Sequence, residues 1–381
     1  MIEKLKSIES NNYFYIGWIM MVFHFCVANS NASSYSTSLV TYLALAFFLV
    51  KIFLKTKYNS LEMSKMFIIL LCGFLGYYFS KDMRTFWLSI VLISCKDINF
   101  NKTVKYTFIT MLLSCFFFLI LYFMHIIPET LVNSSRGVRH GFGLGHPNMC
   151  SAYYTMLTVL YIYLKYHKIT YKFLIIDFVF GVLLYYFTES TTGMIMLVSI
   201  LFIILIINKT HDKPKALNII FITIVLGIVC FTVIPIIYND FFSIFDRLLT
   251  GRFSQANYYF KKYGIHLFGD NMIEDLTYEY TTHILDIGYT KMLINNGIIY
   301  YLYVVCSYIY LLKNTIQFKK YSTFILISFF LIYMYTENVS TYIFMNVSML
   351  LFSNFIFNDE KELRRGSVWK KKITRIVKFQ K

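Results

Sequence analysis

Residues 216–238 read ALNIIFITIVLGIVCFTVIPIIY, an unbroken run without one charged side chain. At about 1.5 Å of rise per residue, such a run wound as a helix covers the roughly 30 Å of hydrocarbon in a bilayer. Polar positions do not alternate through it, so it lacks the amphipathic signature of a helix or strand on the surface of a soluble protein. The pattern recurs to either side, at 13–28, 39–54, 66–79, 85–95, 106–127, 149–166, 171–187, 193–207, 285–312, 321–335 and 341–357. Lipid offers no hydrogen-bond partners to a backbone, so each crossing has to be helical. The fold class expected is an all-α polytopic membrane protein of about 12 transmembrane helices, with 85–95 the shortest. Composition agrees: of 381 residues 57% are hydrophobic and only 15% charged, more apolar surface than one soluble core needs.

Twelve crossings place the connections alternately on two sides, and lysine marks one of them. Lys4 and Lys6, Lys51 to Lys65, Lys96 to Lys105, Lys165 to Lys172, Lys209 to Lys215, Lys313 to Lys320 and the basic tail all fall together. By the positive-inside rule that side is cytoplasmic, with both termini on it. The net charge of +16 therefore reports topology. Segment 359–381 reads as an anchor to anionic lipid headgroups, and no basic soluble face for nucleic acid is expected. The Lys-bearing start and the small residues Val27, Ala28 and Ser30 imitate a signal peptide, but the apolar run is longer than a typical h-region and fits as a first span. Seven cysteines without CxxC spacing support neither a disulfide framework nor a zinc site. No repeat or linker divides 1–358, which reads as one membrane domain.

Two connections on the opposite side are long, 128–148 and 239–284, and long loops in compact domains are usually functional. Short surface helices are expected in the second, where Tyr258, Tyr259, Phe260, Ile265, Leu267 and Phe268 form apolar patches. This side holds Lys81, Arg84, Arg136, Arg139, Arg247, Arg252, Lys261, Lys262 and Lys291, whereas the lysine side has no arginine before the tail. Arginine presents a planar, permanently charged fork that grips phosphate through two parallel bonds; lysine is a hydrated point charge. A phosphate-bearing ligand on this side is the expectation, with Arg136, Arg139, Arg247 and Arg252 as its binders. Solvated arginines that merely snorkel are the bland alternative, and for Arg84 it weighs equally.

The first long loop runs Arg136-Gly137-Val138-Arg139-His140-Gly141-Phe142-Gly143-Leu144-Gly145-His146-Pro147-Asn148 into a span. Its glycines allow close backbone approach, and Pro147 suits the first turn of a helix whose start favours an anion. Glu189 and Glu337 occupy tight turns at span ends, and Asp286 opens a span with His283 nearly one turn before it. These groups could deprotonate a hydroxyl, pair with the arginines, or simply cap turns.

The RHGFGLGHPN run, Gly251-Arg252, Phe268-Gly269, and Leu285-Asp286-Ile287-Gly288-Tyr289 with Gly297 beyond resemble the Wzy-type polysaccharide polymerases. Those in turn resemble the O-antigen ligases, in a GT-C-like superfamily of bacterial membrane glycosyltransferases. The likeness covers the topology of nearly the whole chain, although its motifs are short. It implies that oligosaccharide repeat units carried on undecaprenyl diphosphate are joined at the outer face of the bacterial plasma membrane. It implies no metal or other cofactor, and partnership with a flippase and a chain-length regulator. On this resemblance Arg136, Arg139, Arg252 and Arg247 hold the leaving diphosphate. His140, His146, His283 and Asp286 orient or deprotonate the acceptor hydroxyl, with Asn148, Glu189 and Glu337 in support. Two departures stand out: Thr191 where many relatives carry arginine after the serine, and Asp286-Ile287 where an Asp/His-Asn pair is common. A ligase passing finished glycan to an acceptor is the nearest rival, and a lipid-linked oligosaccharide flippase the next. Few charges lie within the spans, Asp177 being the clearest, which weighs against a flippase.

Overall fold

Nearly every uncharged apolar run of the sequence winds into a helix. The structure is a computed structural model that describes residues 2–33, 38–134, 137–209, 214–249, 251–273 and 285–357. In chain order come α1 (Ile2–Ala28), α2 (Ser38–Val50), α3 (Ser60–Ser80), α4 (Met83–Ser94) and α5 (Phe100–Phe123). After a short hairpin follow α6 (Pro147–Lys165), α7 (Tyr171–Thr188), α8 (Thr191–Lys209) and α9 (Pro214–Ile236). Two surface helices, α10 (Ser243–Leu248) and α11 (Arg252–Tyr263), precede α12 (Gly288–Lys291), α13 (Gly297–Gln317), α14 (Tyr321–Tyr333) and α15 (Ser353–Phe357). Among the described residues six stretches are long and apolar enough to cross a membrane: α3, α5, α7, α8, α9 and the Gly288–Gln317 segment. The protein is a predominantly helical membrane protein.

What faces the lipid is as apolar as what fills the core. Only 17% of the spanning window is buried in α3 and in α7, whose Phe67, Phe74, Phe180 and Tyr186 point outward. With hydrocarbon on both sides, apolar burial gives helices little reason to associate, and close packing with polar ties takes over. The Gly73 backbone lies against Ser89, and Gly193 against Ser151, so closely that a methyl group at either glycine would overlap its neighbour. The buried Trp18 indole donates to Thr107 Oγ1 at 2.8 Å, joining α1 to α5. At the centre stands α14, with Phe324, Leu326, Phe329 and Phe330 wholly enclosed.

Three features depart from twelve regular helices. The 128–148 loop contains an antiparallel hairpin, β1 (Leu131–Ser134) with β2 (Gly137–His140), so the fold is not purely α. The expected span 285–312 is interrupted: α12 passes into a π-helical turn, Met292–Asn296, and Gly297 at φ 87° and ψ 171° redirects the chain into α13. There the loop carbonyls of His266 and Leu267 accept from Ile298 and Ile299 N–H at 3.0 and 3.2 Å, satisfying amides at the start of α13. Gly269 presses on Asn295 and Gly297 on Gly269, leaving no room for a Cβ at either position. Finally, 341–357 is no continuous helix: irregular chain to Asn346 leads into a 3-10 stretch, Val347–Phe352, and then α15. Its polar residues divert the backbone from helix, and irregular chain is tolerated within a membrane protein only when enclosed. Tyr300 accordingly donates to Ser340 O at 2.9 Å, and Tyr308 reaches Asn346 Oδ1 at 3.2 Å and Ser348 Oγ at 2.9 Å.

The hairpin, the α7–α8 turn, α10 and α11 gather at one end of the bundle, the loop face. Away from that face, the lysine-bearing connections around 51–65 and 96–102 meet the end of the chain's described part, where Lys65 Nζ donates to Phe355 O and Lys96 pairs with Glu62 at 2.6 Å.

Candidate functional site

Arg252 opens α11, and the sequence around it explains how it is held. Asp246, buried, accepts from Phe253 N–H at 2.7 Å through Oδ1 and from Ser254 N–H at 3.3 Å through Oδ2, while its carbonyl accepts from Gly251 N–H at 2.8 Å. A carboxylate on the free amides of a first turn caps that turn and favours its dipole. Phe253, Ala256, Tyr259 and Phe260 then form the buried side of α11 against α9, with the Phe231 and Phe253 rings 5.3 Å apart.

So docked, the Arg252 side chain is only 11% exposed. Its Nη2 stands 3.4 Å from each of Thr192 Oγ1, Asp286 Oδ2 and Glu337 Oε1. Nη1 is buried with no hydrogen-bond partner. Asp286 precedes α12 and Glu337 follows α14, and the backbone bond from Gly288 N–H to Met334 O at 2.9 Å ties those segments together. Burial, and next the charge of Asp286, push the Glu337 carboxyl up from 4.5 to about 7 against the opposing pull of Arg252. A carboxyl poised there can take or give a proton at neutral pH.

Arg139, on β2, grips the α7–α8 turn from the other side. Its Nε donates to Thr188 O at 2.8 Å and its Nη2 to Asn148 Oδ1 at 2.6 Å. Thr188 Oγ1 meets Ser151 Oγ at 2.9 Å, which fastens the turn to α6. Because Arg252 reaches Thr192 Oγ1, two guanidinium groups hold one turn four residues apart. Thr191, where arginine is common in the resembling family, opens α8 directly after that turn.

The other residues singled out in the sequence divide. His146 precedes α6 and its Nδ1 accepts from Asn148 N–H at 3.2 Å, a cap beside Arg139. Partial burial of the ring and then the Arg139 charge lower its pKa, although the residue keeps solvent-exposed surface. His140, next to Arg139 on a strand, turns elsewhere: its Nδ1 meets Glu129 Oε1 at 3.1 Å, and its ring stacks on Phe142. Glu129 Oε1 also accepts from Phe142 N–H at 3.2 Å, so this pair braces the hairpin apart from the Arg252 cluster. Glu189 ends α7 in the left-handed conformation, near Gly137. Arg247 is exposed on α10 and makes no ion pair or side-chain hydrogen bond among the described residues. Arg136, His283 and the 359–381 tail lie outside the described residues.

Sequence reasoning passed over Asp246, Thr188, Thr192 and Glu129. Asp246 carried a local signal, an acid just upstream of a helix start; the threonines act through a backbone carbonyl and a hydroxyl that no spacing reveals. Among the described residues no three His, Cys, Asp or Glu side chains gather as metal ligands. Comparison with known family models, curated proteins and solved structures finds no match for this chain.

Proposed function

We propose that this chain is a membrane glycosyltransferase that polymerises oligosaccharide repeat units carried on undecaprenyl diphosphate, acting at the outer face of a bacterial plasma membrane. The observation that carries the reading is the Arg252 cluster: a buried guanidinium with one unengaged nitrogen, between two carboxylates, on the turn that Arg139 holds. Twelve crossings, with the loop face outside and the lysine face in the cytoplasm, belong to the same proposal.

In this reading the diphosphate of the growing chain lies against Arg252 and Arg139, and Nη1 of Arg252 receives one of its oxygens. A hydroxyl of the incoming unit attacks the anomeric carbon. The new carbon–oxygen bond forms as the bond to phosphate breaks, the lipid diphosphate leaves with the electron pair, and the hydroxyl proton passes to Glu337. The charges cooperate: an arriving anion raises the basicity of Glu337 further, so the base strengthens when its substrate is in place. Fixed cations where negative charge collects on the leaving group supply the main stabilisation. Asp286 keeps Arg252 oriented and Asn148 keeps Arg139 so.

The test is deletion of the gene, followed by electrophoresis of the surface glycan. Single repeat units on the surface support polymerase action. Full-length polymer left on its lipid carrier indicates a ligase, and repeat units trapped in the cytoplasm indicate a flippase; either refutes the proposal.

A further inference from the structure

Ser254, Asn257, Tyr258 and Lys261 stand at i, i+3, i+4 and i+7 of α11 and form one stripe, spanning about 10 Å of helix. With Tyr238 and Asn239 beyond α9 they line a cavity of about 420 Å³, in the range of small-molecule sites. None of the six is aliphatic.

Four of the six, Ser254, Asn257, Asn239 and Lys261, keep groups unused among the described residues. Asn257 is 6% exposed, and its Nδ2 is committed to Pro235 O at 2.8 Å, so its amide is fixed while Oδ1 has no partner among the described residues. Asn239 Oδ1 accepts from Phe241 N–H at 3.1 Å, which leaves its two N–H donors. Ser254 Oγ donates to Gly251 O at 2.9 Å and keeps its acceptor lone pairs. The Lys261 ammonium, exposed, makes no ion pair among the described residues, whereas that of Lys262 lies over the Tyr258 and Tyr263 rings at 5.7 and 5.4 Å.

We infer that this cavity is a second glycan subsite that binds a sugar carrying an acidic group, a carboxylate or phosphate substituent. Fixed amide and hydroxyl groups match neighbouring ring hydroxyls, tyrosine faces suit the C–H side of a pyranose, and Lys261 meets the negative charge. A lipid headgroup site would adjoin aliphatic side chains for the attached chains, and the lining of this cavity, two tyrosines with polar residues, has no aliphatic side chain. The stripe lies on the flank of α11 away from Arg252, so the sugar held here is not the reacting one but a unit farther along the glycan. Asp246 links the two places: its Oδ2 accepts from the Tyr238 hydroxyl in the cavity wall at 3.1 Å, and its carboxylate holds the amides beside Arg252. The choice of a sugar as ligand rests on the polymerase reading.

The test uses the full chain in nanodiscs and isothermal titration with two probes, a hyaluronan hexasaccharide and the uncharged maltohexaose. The acidic probe is expected to bind about tenfold tighter than the neutral one, and Lys261→Gln to remove that preference while Lys262→Gln keeps it. Tyr258→Ala is expected to weaken both probes. Equal binding of the two probes, or an unchanged preference in Lys261→Gln, overturns the inference; so does displacement of the hexasaccharide by glycerol phosphate but not by glucuronate, which marks a headgroup site. Arg252→Lys separates the two proposals, since it is expected to slow glycan growth about 10- to 100-fold without altering probe affinity. Probe binding lost in Lys261→Gln alongside a gene deletion that leaves polymer length intact refutes polymerisation and retains the subsite. Growth that depends on Arg252 with no selectivity at Lys261 does the reverse.

Discussion

Replacing Arg252 by lysine keeps the charge and removes the fork. In the structure one nitrogen, Nη2, stands 3.4 Å from the oxygens of Thr192, Asp286 and Glu337, while Nη1 is buried and unengaged. A lysine ammonium reaching this place can meet one or two of those oxygens but cannot present a second parallel donor to a diphosphate. Loss of one charge-assisted hydrogen bond costs about 1.5–3 kcal/mol. If that bond matters in the transition state, the rate falls about 10- to 100-fold. The assay is chain growth from purified lipid-linked repeat units in proteoliposomes, read as a ladder on a gel, with protein quantity matched. Arg252→Gln adds a diagnostic: Arg252 lowers the Glu337 pKa, so removing the charge shifts the pH at which growth sets in upward, and Arg252→Lys leaves it near its wild-type place. Wild-type ladders from Arg252→Lys would refute the clamp.

Three further outcomes follow from other parts of the molecule. With Glu337 raised to about 7 and acting as the base, kcat/KM should fall tenfold per pH unit below that value and level off above it. The kcat inflection should lie higher because the bound diphosphate adds negative charge, and Glu337→Gln should abolish the limb along with most activity. In Gly269→Ala the new Cβ would stand 2.0 Å from Asn295 O at a φ of 85°, so the cost exceeds the roughly 1–2 kcal/mol of the left-handed conformation alone. Thermal unfolding in detergent should show a marked drop. With native cysteines removed, Asn239→Cys should react with a membrane-impermeant thiol reagent in intact cells and Lys168→Cys should not; the reverse pattern would invert the proposed orientation.

The helices were legible because a bilayer imposes one strong constraint, length without charge, and 216–238 or 106–127 meets it in full. Where the constraint relaxes, the reading blurs. Segment 341–357 is apolar enough to resemble a span, yet the Ser340 carbonyl, the Asn346 side-chain carbonyl and the Ser348 hydroxyl find partners inside the protein through Tyr300 and Tyr308, along an irregular path. The break at Gly297 is equally hidden, because it depends on Gly269 arriving from a loop nearly thirty positions earlier. For the candidate site, arginine against lysine was a composition signal that pointed to the loop face, but it weighted Arg247 with Arg252. What separates the two is Asp246, which docks α11 and so buries one guanidinium while leaving the other in solvent.

The irregular elements and the charged cluster share a cause. A guanidinium flanked by two carboxylates must be enclosed enough to shift a pKa yet reachable from water, and straight helices passing through lipid offer no such place. Ending α14 at Tyr333 frees the turn that presents Glu337, and breaking the next-to-last long segment at Gly297 lets Asp286 and α12 lie against that turn. The loop carbonyls of His266 and Leu267 then cover the amides exposed by the break, so the 251–273 segment both carries Arg252 and seals the fracture. Through that coupling, a substitution at Gly269 disturbs more than local packing. It loosens the anchored end of the segment that positions Arg252, and residual activity in any folded variant should lose its pH inflection before its affinity for substrate.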